Sequence, residues 1–289
     1  MGDFSILIIE RKASMLTAMM IGDIVGKLGR TFLQERLPSL LSRHKPDIVI
    51  ANGENASGGT GITEKSLREL FDLGIDVVTM GNHTWDKRET AGFIDSYPRM
   101  IRPANYPEGA PGKGWFMNEI RPGVPPFAVV NLMGRTFMNA IDCPFQAIDR
   151  ILVDIREQAP GAQQPIVIVD FHAEATSEKE TMGFYLAGRA AAVIGTHTHV
   201  QTADERILAG GTAYITDVGM TGPRESILGV RPDIMIRRFT TLMPVRHELA
   251  DGPLVLSGVL VRIETQSGKA VSITRFNEHS DDDREGGSG

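Results

Sequence analysis

Five short aliphatic runs in this 289-residue chain each stop on side chains that bind metals or make turns, and no other feature constrains the fold as much. Met19-Met20-Ile21 stops on Gly22-Asp23, Ile48-Val49-Ile50-Ala51 leads to Gly53-Glu54-Asn55, and Ile75-Asp76-Val77-Val78-Thr79-Met80 leads to Gly81-Asn82-His83. Ile166-Val167-Ile168-Val169 ends on Asp170-Phe171-His172, and Ala192-Val193-Ile194-Gly195 on Thr196-His197-Thr198-His199. Each run has the length and composition of a strand. Amphipathic stretches separate them. Phe32, Leu33, Leu37, Leu40 and Leu41 fall at helical spacing, Leu67, Leu70 and Phe71 form a face behind a capping Thr63, and Ile148, Ile151, Leu152 and Ile155 make a third stripe. Ser177 with Glu180 reads as a capping box for a further helix. This alternation predicts an α/β fold with largely parallel strands and crossover helices. Ligands of such a sheet bind beyond the carboxyl ends of its strands, so Asp23, Glu54, Asn55, Asn82, His83, His172, His197 and His199 are expected in one pocket.

Composition narrows the chemistry. A hydrophobic content of 42% can build one large core, and a single domain over residues 15–277 is expected. The formal net charge of −6 provides no basic field for long nucleic acids, so stable DNA binding is not expected. The lone Cys143 cannot form an internal disulfide or a thiolate zinc cluster, which fits a cytoplasmic protein and leaves N and O atoms as metal ligands. No apolar stretch reaches the roughly 18 residues of a membrane span. Ser5-Ile6-Leu7-Ile8-Ile9 is short and is followed by Glu10-Arg11-Lys12, a poor signal peptide, and residues 1–14 are read as an N-terminal extension of little structural weight. Residues 102–126, rich in Pro and Gly, read as a rim or lid loop. Residues 255–264 and 270–276 read as a hairpin, and residues 278–289 as a disordered acidic tail.

The eight clustered residues offer only O and N donors. Two divalent cations need about eight such donors plus water, and a carboxylate between them can bridge ions roughly 3.5–4 Å apart. Two carboxylates against two dications leave about +2, or about +1 with a bridging hydroxide, which draws in a phosphate without an Arg or Lys clamp. Hydroxide attack in line at phosphorus is then the expected chemistry, with His83, beside Asn82, donating a proton to the leaving alkoxide. His197 and His199 point the same way in an extended strand, whereas a turn hands one to each ion. Taken singly, Gly22-Asp23 is an ordinary turn, Glu54-Asn55 an ordinary cap and His172 a satisfied core imidazole; the convergence of five strand ends carries the argument. His44, His247 and His279 lack such a setting and read as surface residues, and Cys143 as a packed thiol. The glycines of residues 22–30 match neither phosphate-loop pattern, so a nucleotide cradle is not expected there.

In order, Gly22-Asp23-Ile24-Val25-Gly26, Asn52-Gly53-Glu54-Asn55-Ala56, Met80-Gly81-Asn82-His83-Thr84-Trp85-Asp86, His172 and Gly195-Thr196-His197-Thr198-His199-Val200 resemble the calcineurin-like metallophosphoesterases. The likeness spans residues 17–276 and is nearest to the YmdB-type branch, bacterial 2',3'-cyclic-nucleotide phosphodiesterases. It implies a four-layer α/β/β/α sandwich of two mixed sheets with flanking helices. It also implies one metal on Asp23, Glu54, Asn55 and His199 and a second on Glu54, Asn82, His172 and His197, with Glu54 bridging, His83 as proton donor, and iron or else manganese as the metal. A small 2',3'-cyclic phosphodiester substrate, no membrane partner and a homo-oligomer are the further expectations. The superfamily's usual Gly-Asp-x-His start and bridging Asp are replaced here by Asp23-Ile24-Val25 and by Glu54, as the narrower branch expects. Two other readings remain: an amidohydrolase-like metal hydrolase acting on C–N bonds, and a metal-stabilised regulatory or binding protein with incidental activity.

Overall fold

The strands divide between two sheets. A computed structural model describes residues 15–119, 125–159 and 164–281. The first sheet runs, from edge to edge, Asp23–Ile24, Met220–Pro223, Leu254–Glu264, Met15–Ile21, Ile48–Asn52, Val77–Thr79 and Met100–Ile101, with Lys269–His279 also paired to Leu254–Glu264. Its last four strands are parallel, while the long hairpin is antiparallel and joins them at Met15–Ile21. The second sheet runs Arg206–Leu208, Thr212–Ile215, Ala192–Thr196, Ile166–His172, Phe127–Met133 and Trp115–Asn118, parallel within and antiparallel at both edges. The largely parallel arrangement expected from alternation is thus corrected to two mixed sheets, as the family resemblance implies. The second sheet is open, not the closed barrel that the C–N hydrolase alternative requires.

Period-two alternation within single strands produces the layers. In Met15–Ile21, Leu16, Ala18 and Met20 join Phe127, Val129, Ile168 and Ile194 in a core between the sheets, while Met19 and Ile21 pack with Phe32, Leu33, Leu37 and Leu40. On the far side, Val130, Val169 and Phe171 pack with Ile148, Ile155 and Met182. Helices Gly26–His44 and Glu64–Asp72 therefore cover one sheet, and Pro144–Gln158 and Thr176–Tyr185 the other. Pro38 sits within Gly26–His44, on its exposed side. Thr63 caps Glu64–Asp72 by accepting from the Ser66 N–H at 3.2 Å.

Three local expectations change. Helix Thr176–Tyr185 begins one residue before the supposed capping box, with Ala175 at its N-cap and no side-chain cap. Residues 102–126 contain the edge strand Trp115–Asn118, and the buried Arg102 guanidinium donates to the carbonyls of Pro103, Ala110 and Pro111, so part of this stretch is built structure. The hairpin extends to His279 and Asp281 pairs with Arg224 at 3.0 Å, so Glu278 to Asp281 belong with the sheet rather than the tail. Residues 1–14 and 282–289 lie outside those described.

Candidate metal centre

Seven of the eight residues meet at the carboxyl ends of strands from both sheets, in two groups that share Glu54. Asn55 Nδ2 lies 3.5 Å from Asp23 Oδ1, 3.2 Å from Glu54 Oε1 and 3.1 Å from His199 Nε2. His172 Nε2 lies 3.1 Å from the same Glu54 Oε1, 3.0 Å from Asn82 Oδ1 and 3.0 Å from His197 Nδ1. Asp23 and Glu54 are buried, and so is His172. Strand Ala192–Thr196 ends just before His197, whose φ of 99° and that of His199, 61°, form a left-handed turn. The two imidazoles consequently face different groups, the second of the two outcomes that the sequence allows. His83, the eighth residue, stands at the edge: its N–H donates to Glu54 Oε2 at 3.0 Å, and its Nδ1 is 2.8 Å from Asp86 Oδ2.

Outer hydrogen bonds fix how each imidazole presents itself. Thr196 gives its one hydroxyl proton to Asp170 Oδ1 at 2.7 Å, so it accepts from His172 Nδ1–H at 2.9 Å. His197 Nε2 is paired with Glu174 Oε2 at 3.0 Å, and His199 Nδ1–H donates to the Leu228 carbonyl at 3.2 Å. In their neutral forms all three rings then turn a bare nitrogen inward, the orientation that metal-ligating histidines adopt when an outer acceptor holds the other nitrogen. A proton on His172 Nε2 could be given to only one of its three inner neighbours, leaving lone pairs face to face; a cation satisfies them together. Glu54, His172 and His197 bring donor atoms within 4.8 Å of one another. The donor set fits hard or borderline divalent metals.

Burial sets the charge balance. It penalises the Asp23 carboxylate, and Glu54, Asp217 and Asp170 add repulsion, so Asp23 is held well above its usual range despite the attraction of His172. Burial acts against both members of the His172–Glu54 pair, yet their mutual attraction prevails, bringing Glu54 down to about 2 and His172 up to about 9. Burial and the neighbouring His172 hold His197 down to about 3, and burial lowers His199 as well. Two of the three inward nitrogens therefore stay unprotonated at neutral pH, while the third holds a proton where a cation can replace it.

A sequence model of YmdB-like proteins matches residues 19–276. The chain belongs to the YmdB-like family. Over 258 residues it is 50% identical to a 2',3'-cyclic-nucleotide 2'-phosphodiesterase of Bacillus subtilis, covering 89% of this chain and 95% of that protein. A crystal structure of a hypothetical protein from Thermus thermophilus superposes with a TM-score of 0.83 at 40% identity, covering 91% of this chain and 99% of the other. A novel phosphatase from Mycoplasma pneumoniae gives 0.86 at 30% identity, covering 96% and 98%.

Behind the inward-facing residues, this YmdB-like protein carries supports that sequence reasoning passed over. Asp170 is buried and raised to about 6, chiefly by burial. It was legible, since it lies two residues before His172 in one strand and so on the same face. Asp217 is fully buried; its Oδ2 accepts from Thr198 N–H at 2.9 Å and Oγ–H at 2.7 Å and pairs with the buried Lys179 Nζ at 2.7 Å. Nothing local in the sequence marks Asp217, because its link to the histidine turn exists only in three dimensions. His44 stacks on Phe276 and His247 meets Arg238, both away from this centre.

Proposed function

We propose that this YmdB-like protein is a dinuclear metal-dependent phosphodiesterase that opens small phosphodiesters, with 2',3'-cyclic nucleotides as the substrate class. Phosphodiester hydrolysis as a reaction class is supported by the relative that shares half its sequence. The observation that carries the metal reading is the set of three imidazoles, each held from outside by Thr196, Glu174 or the Leu228 carbonyl, with its other nitrogen turned inward. Asp23, His199 and, with its amide turned over to present the oxygen, Asn55 would hold one ion, Asn82, His172 and His197 the other, and Glu54 both. Iron is the proposed metal, with manganese second. Bound there, the ions supply Lewis acidity at the phosphoryl oxygens and lower the pKa of water towards ~7.

The chain's own residues do the rest. Cleaving one ester bond of a cyclic phosphodiester leaves an alkoxide that needs a proton, and His83 is the donor. Its Nδ1 is fixed by Asp86 Oδ2, which leaves Nε2 as the free end of the ring, and the side chain is 31% exposed, open to a substrate. Asp86 thus holds the ring in place. Among the described residues no helix is long and apolar enough to cross a membrane. A cytoplasmic location remains part of the proposal. So does a homo-oligomer, supported by the exposed Ile236, Phe239, Leu242 and Met243 on and after helix Pro232–Thr241 and tested by light scattering.

Elemental analysis combined with turnover of 2',3'-cyclic AMP and bis-p-nitrophenyl phosphate tests the reading. Glu54→Gln is expected to lose metal and turnover together. His83→Ala is expected to keep its metal and lose about a hundredfold or more in kcat, most with poor leaving groups. An unchanged rate on an alkyl diester removes His83 from the proton-donor role. Metal-replete protein inert to both substrates removes the enzyme.

A further inference from the structure

The residues above account for the phosphate and leave the nucleoside half of the substrate without a partner. Phe137 is 91% exposed and has a φ of 61°, a backbone conformation uncommon for an aromatic residue. It lies on the loop that follows strand Phe127–Met133, whose last residue is in register with His172. That loop is clamped at several points. Gly134 N–H donates to the His172 carbonyl at 2.9 Å, and a Cβ on Gly134 would stand 2.6 Å from Ala173 Cβ, so the loop lies directly against the chain leaving His172. Glu178 accepts from the N–H groups of Arg135 and Thr136 at 3.0 and 3.1 Å. The buried Asn105 side chain accepts from Met133 N–H at 2.9 Å and donates to the carbonyls of Met133 and Asp142, tying the loop's two ends together. Met138 packs inward against the core of the second sheet. A phenyl ring held out in water from so fixed a loop, in a left-handed conformation, has no packing role in the fold.

Three residues span at most about 10 Å of chain, so Phe137 lies within about 10 Å of Gly134, whose N–H is bonded to the His172 carbonyl. Across the centre, the exposed Val200 follows His199, and the exposed Leu228 holds His199 through its carbonyl; both are aliphatic and offer no π-face. We propose that Phe137 is the platform on which the substrate's nucleobase stacks. This rests on the phosphodiesterase reading above and names what recognises the organic half of the substrate. Every base has a π-face, so the platform confers preference for nucleosides over other cyclic phosphates and little preference among bases.

The test compares 2',3'-cyclic AMP with glycerol 1,2-cyclic phosphate, the same ring ester without a base. Phe137→Ala is expected to lower the ratio of the two kcat/KM values about tenfold, the usual loss for one base–aromatic stack, and Phe137→Trp to restore it. Calorimetric binding of 3'-AMP should weaken by the same factor, with inorganic phosphate as the baseless control. Wild-type protein active on both esters with an unchanged ratio in Phe137→Ala overturns the platform alone. Wild-type protein inert to both overturns the phosphodiesterase reading and the platform with it. An unchanged ratio accompanied by a change in oligomeric state assigns Phe137 to a contact between copies and likewise overturns the proposal.

Discussion

Gly81 shows how little room the centre leaves. A Cβ there would lie 2.3 Å from His172 Cδ2, 2.4 Å from His172 Nε2 and 2.4 Å from Glu54 Oε2. Two of the three atoms in the way, Nε2 and Oε2, are ones that would bind metal, and both side chains are buried, so they cannot swing clear into solvent. Gly81→Ala therefore pushes on His172 and Glu54 together, with a packing cost of about 1–3 kcal/mol. We expect the variant to fold with a cooperative unfolding transition and to bind metal at least about tenfold more weakly, the range seen when support around a ligand is disturbed. Equilibrium dialysis against a competing chelator measures this. Wild-type affinity in Gly81→Ala would show that the ligands tolerate displacement.

Between strand Ala192–Thr196 and the following loop, the turn carrying both histidines depends on a buried charge pair. Asp217 grips Thr198, the residue between His197 and His199, and Lys179 neutralises it from helix Thr176–Tyr185. Removing one member of a buried pair leaves the other uncompensated, typically a loss of about 3–5 kcal/mol. Lys179→Met and Asp217→Asn are both expected to lower the urea midpoint. Only Asp217 touches the turn, so Asp217→Asn should lose more metal than Lys179→Met. Equal metal loss in the two would mean that general loosening, rather than the grip on Thr198, governs the turn. At this scale the sequence speaks unevenly. Strand ends such as Gly81-Asn82-His83 and the Thr63 cap were legible because their signals are local. The division into two sheets was not legible from periodicity, since strands buried on both faces, such as Ile48–Asn52 and Ile166–His172, read as unbroken apolar runs whichever sheet they enter. The family's motif order, not alternation, carried that information, and the Asp217 grip lay beyond both.

Taken as a whole, the molecule places the proposed metal ligands across a seam. Asp23 opens the edge strand of the first sheet and Glu54, Asn55 and Asn82 follow strands of it, whereas His172 belongs to the second and His197 and His199 follow a strand of it. Ions held by both sets would tie the sheets together at one end of the core they share. They would also offset the burial of Asp23 and Glu54, and the repulsion from Asp170 and Asp217 that holds Asp23 high. The unfolded chain has no such convergence, so nearly all of the binding energy adds to folding stability. At a free-ion concentration about a hundredfold above Kd, one site adds about 2.7 kcal/mol. At about 2–4 °C per kcal/mol for chains of this general size, stripping one such ion should lower Tm by roughly 5–10 °C. Scanning calorimetry with and without chelator, on protein whose metal content has been measured, gives the shift directly. Glu54→Gln supplies the control, because a protein that has lost the shared ligand should unfold at nearly the same temperature in both conditions. Metal-bearing wild type with one Tm in both conditions would place its ions away from the seam, and the pairing of sheets through Glu54 would fall with that result.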